Sequence, residues 1–224
     1  GGNTMSQLLQ GVIFDMDGLM FDTERLSARC WEQVGRKFGL DITESFLAGV
    51  RGVTSQEFRR IFEQKFGERA DYETVMGRKK ELFCQEIRQN GVPVKPGLPE
   101  LLEFLQEQKI PAAMATATNQ EIAREYLSKT GLAAFFDQLV FGDQVRRGKP
   151  DPEIFLCAAQ DLGVSPERSV VLEDSLNGVL AGIQGGFRTI MVPDMTQPPP
   201  KLEQQLFCKC ENLFQVIGCL RELL

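Results

Sequence analysis

"GVIFDMDGLMFDTE", Gly11 to Glu24, runs four residues of apolar sequence into two aspartates one residue apart, Asp15 and Asp17, and then turns on Gly18. A short apolar run that stops at polar and turn-forming residues reads as a buried β-strand ending in a loop. Two bare carboxylates about 4 Å apart repel by roughly 4 kcal/mol at an effective dielectric of 20. A pair placed so at a strand end needs a nearby cation or a chemical task.

Similar runs recur at "PAAMAT" (Pro111 to Thr116), "QLVF" (Gln138 to Phe141), "SVVLE" (Ser169 to Glu173) and "RTIMV" (Arg188 to Val192). Helix-length segments separate most of them, the alternation of a parallel sheet wrapped by helices. The fold class is therefore α/β, a doubly wound, Rossmann-like parallel sheet. Thr118 with Glu121 reads as a capping box for a helix that Gly131 ends. Asp151 before Pro152 reads as another N-cap, with proline at the first helical position. "QPPPK" (Gln197 to Lys201) reads as a turn or linker ahead of a last helix.

Residues 23–90 break the alternation. Leu26, Trp31, Val34 and Phe38, then Phe58, Ile61, Phe62 and Phe66 behind a Thr54/Glu57 capping box, then Tyr72, Val75, Met76, Phe83 and Ile87 all recur at helical spacing. The expectation is an all-helical cap inserted after the first strand, with residues 1–22 and 91–224 forming the α/β core. That insert carries 13 Lys+Arg against 11 Asp+Glu, a net of +2, and the remainder carries 12 against 20, a net of -8. A mildly positive insert beside an acidic core suits an anionic substrate, although solvated helix faces give the same balance.

Composition sets the outer bounds. With 224 residues the chain holds one large domain or one domain with a substantial insertion. The net charge of -6 argues against a general nucleic-acid binder, since phosphate backbones require a basic footprint. No apolar run approaches the roughly 20 residues of a membrane span. The 6 cysteines lack the paired spacing of a zinc site and fall in predicted helices, so reduced thiols and a cytoplasmic location are expected. "GGNT" ahead of Met5 reads as an expression remnant. The count of 0 histidines removes Ser-His-Asp and Cys-His catalysis and histidine metal sites, leaving acid-base work to carboxylates, lysine, cysteine or tyrosine.

In a wound parallel sheet, ligands bind at the carboxyl ends of the strands. Asp15 and Asp17 follow the first strand, Thr116 ends the second, Lys149 lies in a loop after the third, and Glu173 with Asp174 close the fourth. Convergent carboxylates tolerate one another only around a cation, and oxygen ligands without histidine or paired cysteine favour Mg2+. Asp15 is then placed to bind the metal and attack an electrophile, and Asp17 to act as general acid and base. Thr116 and the N–H groups beside it, at Ala117, form an anion-binding turn ahead of a helix. Lys149 is placed to neutralise the transferred group. Taken singly, "DxDG" is common in turns, "GKPDP" occurs in surface loops, and Glu173 and Asp174 could simply cap a helix. Their occurrence in order, each at a strand end, distinguishes the set.

With "DMDG" at Asp15, "TAT" at Thr116, "GKPDP" at Lys149 and "LEDS" at Glu173 and Asp174, nearly the whole chain resembles the haloacid dehalogenase superfamily. The helical insert is similar to that of its beta-phosphoglucomutase-like branch. The resemblance implies Asp15 as nucleophile, Asp17 as acid-base, Thr116 and Lys149 on phosphate, and magnesium held by Asp15, Asp174 and the backbone carbonyl of Asp17. It also implies that the first and fourth strands lie side by side, and it leans to a monomer.

Dehalogenase and phosphonate-hydrolysing members lack the second aspartate, which is present here as Asp17. The sugar phosphomutase carries a cap histidine where this chain has Ser27 and an arginine where it has Ser55; Arg51 remains as a cap contact to substrate. The expected activity is a magnesium-dependent phosphomonoester phosphatase acting on a small phosphorylated metabolite through an aspartyl-phosphate, with the sugar phosphomutase as alternative. A receiver-type phosphorylation module shares the aspartate, threonine and lysine chemistry but is about half this length and has no inserted cap. A former enzyme that only binds a partner finds no support, since every chemical residue is present.

Overall fold

The computed structural model describes residues 9–224, so the "GGNT" stretch lies outside the described residues. The chain divides into two compact units: one runs to Asp22 and resumes over Val94–Leu224, and the other is Thr23–Pro93.

The first unit begins with β1 (Gly11–Phe14), every residue of which is buried. After the second unit the chain continues through α5 (Leu98–Glu107), β2 (Ala112–Thr116), α6 (Gln120–Thr130), β3 (Gln138–Phe141) and α7 (Glu153–Leu162). It ends through β4 (Ser169–Glu173), α8 (Leu176–Gln184), β5 (Arg188–Met191), the one-turn α9 (Pro200–Glu203), β6 (Cys208–Lys209) and α10 (Leu213–Arg221); the four helices of the second unit, introduced below, take the labels α1 to α4. The strands form one sheet in the order β3-β2-β1-β4-β5-β6, and every pairing is parallel. The chain winds outward from β1 through β2 to β3, then returns to β4 on the other side of β1. That reversal makes the β1–β4 border the switch point, where Gly11 pairs with Ser169 and Phe14 with Leu172.

A parallel sheet covered by helices buries both faces of its strands, which is why the central strands read as continuous apolar runs. Ile13, Ala113, Ala115, Val140 and Val171 pack with Ile154, Phe155, Ala158 and Ala159 of α7 in one buried cluster. Alanine at several strand positions leaves room for Phe155, which is fully buried.

Three details of the sequence reading need correction. The N-cap of α6 is Asn119, whose side chain accepts from the Ile122 N–H, and not Thr118. The N-cap of α7 is Pro152, one residue after Asp151, whose carboxylate instead accepts from the Glu153 N–H. "QPPPK" opens α9, and β6 follows before the last helix. Cys208 therefore lies in a strand rather than a helix.

The second unit holds four helices, α1 (Thr23–Phe38), α2 (Glu44–Val50), α3 (Ser55–Phe66) and α4 (Tyr72–Asn90). The spacing of apolar residues shows three of them; the seven-residue α2 is too short to display a period. Thr54 caps α3 by accepting from the Glu57 N–H, while the Glu57 carboxylate pairs with Arg60. The core is aromatic: Trp31, Phe46, Phe62, Phe66 and Tyr72 are buried together. Phe46–Phe66 meet edge to face with centroids 5.2 Å apart, and Phe62–Tyr72 do so at 5.3 Å.

Candidate active site

Asp15 is the first residue beyond β1, and its N–H donates to the Leu172 carbonyl of β4 at 3.1 Å, so the backbone ladder carries it to the switch point. The chain then turns. Gly18 takes φ +83, a region closed to most side chains, and its N–H donates to Phe21 O at 2.8 Å. The turn sends Asp17 toward the end of β2, where the Thr118 hydroxyl donates to Asp17 Oδ2 at 2.6 Å. Thr118 is free to do this because Asn119 caps α6.

Lys149 arrives from the loop after β3. The Glu153 carboxylate fixes that loop by accepting from the N–H groups of Arg146 and Arg147 at 3.0 and 2.9 Å. The Lys149 ammonium donates to Asp15 Oδ1 at 2.8 Å and to Glu173 Oε1 at 2.6 Å, and lies 4.7 Å from the centre of the Phe155 ring. Burial alone lowers the Lys149 pKa; the carboxylates of Asp15 and Glu173 overcome this and raise it above the ordinary lysine value.

Glu173 is fully buried, and both its oxygens are used. Oε1 takes Lys149, and Oε2 accepts from the N–H groups of Asp174 and Ser175 and from the Ser175 hydroxyl at 3.1 to 3.3 Å. Burial, followed by the charge of Asp15, pushes its carboxyl up to about 7 against the pull of Lys149. Ser175, rather than Glu173 or Asp174, is the N-cap of α8.

Asp15, Glu173 and Asp174 each bring a carboxylate oxygen within 4.8 Å of the others, and among the described residues this is the group found able to hold a metal ion. An all-carboxylate donor set fits a hard divalent cation such as magnesium. Glu173 is already committed to Lys149 and to two backbone N–H groups, which leaves Asp15 and Asp174 as the better ligands.

Asp15, Asp17, Thr116, Ala117, Lys149, Glu173 and Asp174 therefore belong to one unit, at the ends of adjacent strands. Thr116 is buried and its hydroxyl oxygen accepts from the Thr118 N–H at 3.1 Å; Ala117 between them is exposed. Arg51 lies in the helical unit, at the C-cap of α2, where its guanidinium pairs with Glu44. Thr118 was missed by sequence reasoning, which assigned its hydroxyl to a helix cap. Its position two residues beyond a loaded strand end was the available signal.

A family model described as haloacid dehalogenase-like hydrolase matches residues 12–192. A phosphorylated carbohydrates phosphatase of Thermotoga maritima is 38% identical over 186 residues, covering 81% of this chain and 84% of that protein. Hexitol phosphatase A of Escherichia coli is 33% identical over 185 residues, covering 82% of each. A crystal structure from Thermotoga maritima, provisionally described as a beta-phosphoglucomutase, superposes with a TM-score of 0.80 at 33% identity, covering 96% of this chain and 100% of that one.

Proposed function

This chain belongs to the haloacid dehalogenase-like hydrolase family, and from that premise we propose that it is a magnesium-dependent phosphatase of small sugar or polyol phosphates, acting through an aspartyl-phosphate on Asp15. The observation that carries this reading is the Lys149 ammonium held between Asp15 and Glu173, with Asp174 in the same carboxylate cluster. The phosphatase names of relatives at 38% and 33% identity support the substrate class.

An oxygen of Asp15 attacks phosphorus in line, and the bond from phosphorus to the ester oxygen breaks. Asp17 gives its proton to the departing oxygen, then takes one from the water that attacks the aspartyl-phosphate, releasing phosphate and restoring Asp15. Lys149 orients Asp15 and neutralises the phosphoryl oxygens, and Glu173 fixes Lys149. Thr116, with the N–H groups around Ala117 ahead of α6, supplies donors for the same oxygens. Asp15, Asp174 and the main-chain carbonyl of Asp17 would hold magnesium, which when bound offsets the charge that gathers on the phosphoryl group.

The helical unit serves as a cap that selects substrate and excludes bulk water. Arg51, whose guanidinium also pairs with Glu44, is the cap residue proposed to contact substrate. No helix among the described residues is long and apolar enough to cross a membrane, and a monomeric, cytoplasmic enzyme is part of the proposal.

The structural likeness to a provisional beta-phosphoglucomutase favours a second reading, a sugar phosphomutase. Ser27 and Ser55 stand against it. A panel of phosphorylated metabolites, read for inorganic phosphate and by product chromatography, separates the two. The phosphatase releases free phosphate only with magnesium. More isomerised sugar phosphate than free phosphate would establish the mutase, and no hydrolysis across the panel would overturn the proposal.

A further inference from the structure

Three of the cysteines converge at the sheet edge farthest from β3. Cys208 lies in β6, which pairs with β5 through Ile190. Cys210 follows, its N–H donating to Met191 O at 2.9 Å. Residues two apart on an extended edge share a face, and here that face meets Cys219 of α10. The sulfurs of Cys210 and Cys219 are 3.5 Å apart, and Cys219 also lies near enough to Cys208 to raise its thiol pKa. All three are thiols.

We propose that Cys210 and Cys219 form a dithiol–disulfide couple, a modification site that reacts with low-molecular-weight disulfides and ties α10 to the β6 edge. A disulfide requires the two sulfurs to approach to about 2.05 Å, so the pair must close by roughly 1.5 Å. Cys210 is 2% exposed, while Cys219 is only partly buried, so Cys219 meets the reagent first. Its thiolate attacks one sulfur of the small disulfide, and the other sulfur leaves as a thiolate. Cys210 then gives its proton to water and attacks the Cys219 sulfur, expelling the second small thiol. Two protein thiols lose two electrons and two protons, and one small disulfide becomes two thiols.

The surroundings set the rates. Burial and the bond to Cys219 raise the Cys210 thiol pKa well above its ordinary range, and burial with Cys219 nearby pushes Cys208 up to about 12. Little of the Cys210 thiol is ionised near neutral pH, so the second, bond-closing step is slow. Cys210 is for the same reason a poor leaving group, so the disulfide also reduces slowly.

The experiment treats the native full chain with glutathione disulfide, blocks remaining thiols, unfolds the protein and digests it with trypsin without reduction. Cleavage after Lys209 separates Cys208 from the peptide Cys210–Arg221, which holds both Cys210 and Cys219. The proposal predicts that this peptide becomes lighter by two hydrogens and takes up no blocking reagent. In Cys210→Ser, Cys219 instead joins the Cys208 peptide; in Cys219→Ser, neither bond forms. Two blocked thiols or two glutathione adducts on the wild-type peptide would overturn the proposal, as would a Cys208–Cys219 cross-link as the main wild-type product.

Discussion

The carboxylate of Glu173 occupies the space that a side chain on Gly178 would need: a Cβ built at Gly178 overlaps the Glu173 carboxylate. Gly178, in the first turn of α8, is the floor on which Glu173 rests while it holds Lys149. Gly178→Ala should therefore displace Glu173, destabilise the protein by about 1–3 kcal/mol and lower kcat at least tenfold. Urea unfolding and initial-rate kinetics check both effects; unchanged values would show that Glu173 has room to move.

Lys149→Met removes the ammonium from between two buried carboxylates. Breaking a buried ionic contact of this kind costs about 3–5 kcal/mol, and the loss should show in urea unfolding. Magnesium, added during unfolding, should restore part of the loss by supplying another positive charge beside Asp15. Activity should fall more than a hundredfold, and Lys149→Arg should not recover it, because a planar guanidinium does not substitute for a compact point charge.

Thr118→Val deletes the 2.6 Å bond to Asp17. A hydrogen bond to a charged group contributes about 1.5–3 kcal/mol, so kcat should drop roughly 10- to 100-fold while KM changes little. Thr118→Ser, which keeps the hydroxyl, should stay near wild type. An equal loss in both variants would mean that the methyl group, not the hydroxyl, matters.

Lys79 of α4 tests the helical unit. Its ammonium lies 5.5 Å from the Trp31 ring and 5.2 Å from the Phe83 ring, and burial lowers its pKa below the ordinary lysine value of 10.5, with Cys30 and Glu24 opposing the shift. A half-buried cation with a depressed pKa costs stability while it stays charged, and that cost fades as pH rises from the folded pKa toward 10.5. Lys79→Met should therefore raise the thermal midpoint at neutral pH, and its advantage should shrink under alkaline conditions. A variant less stable than wild type at neutral pH would show that the ring contacts outweigh burial.

The apolar runs at Gly11, Ala112, Gln138, Ser169 and Arg188 were enough to locate five strands, because a strand buried on both faces has to be apolar along its length. β6 escaped notice, since two residues, Cys208 and Lys209, carry no pattern. The caps of α6 and α7 were displaced by one residue, whereas Thr54 caps α3 as read; at α6, Thr118 and Asn119 are both good capping residues and only the tertiary partner, Asp17, decides between them. The meeting of Asp15 with Glu173 depends on β1 lying beside β4, a long-range pairing that sequence spacing does not specify. The support that Gly178 gives Glu173 was equally hidden.

The most direct measurement mixes the enzyme with magnesium and a turned-over phosphate ester, quenches in acid within one turnover, and maps phosphorylated peptides by mass spectrometry. The account predicts phosphate on the peptide containing Asp15, and neither that adduct nor product release in Asp15→Asn. Phosphate release by Asp15→Asn at the wild-type rate would contradict it.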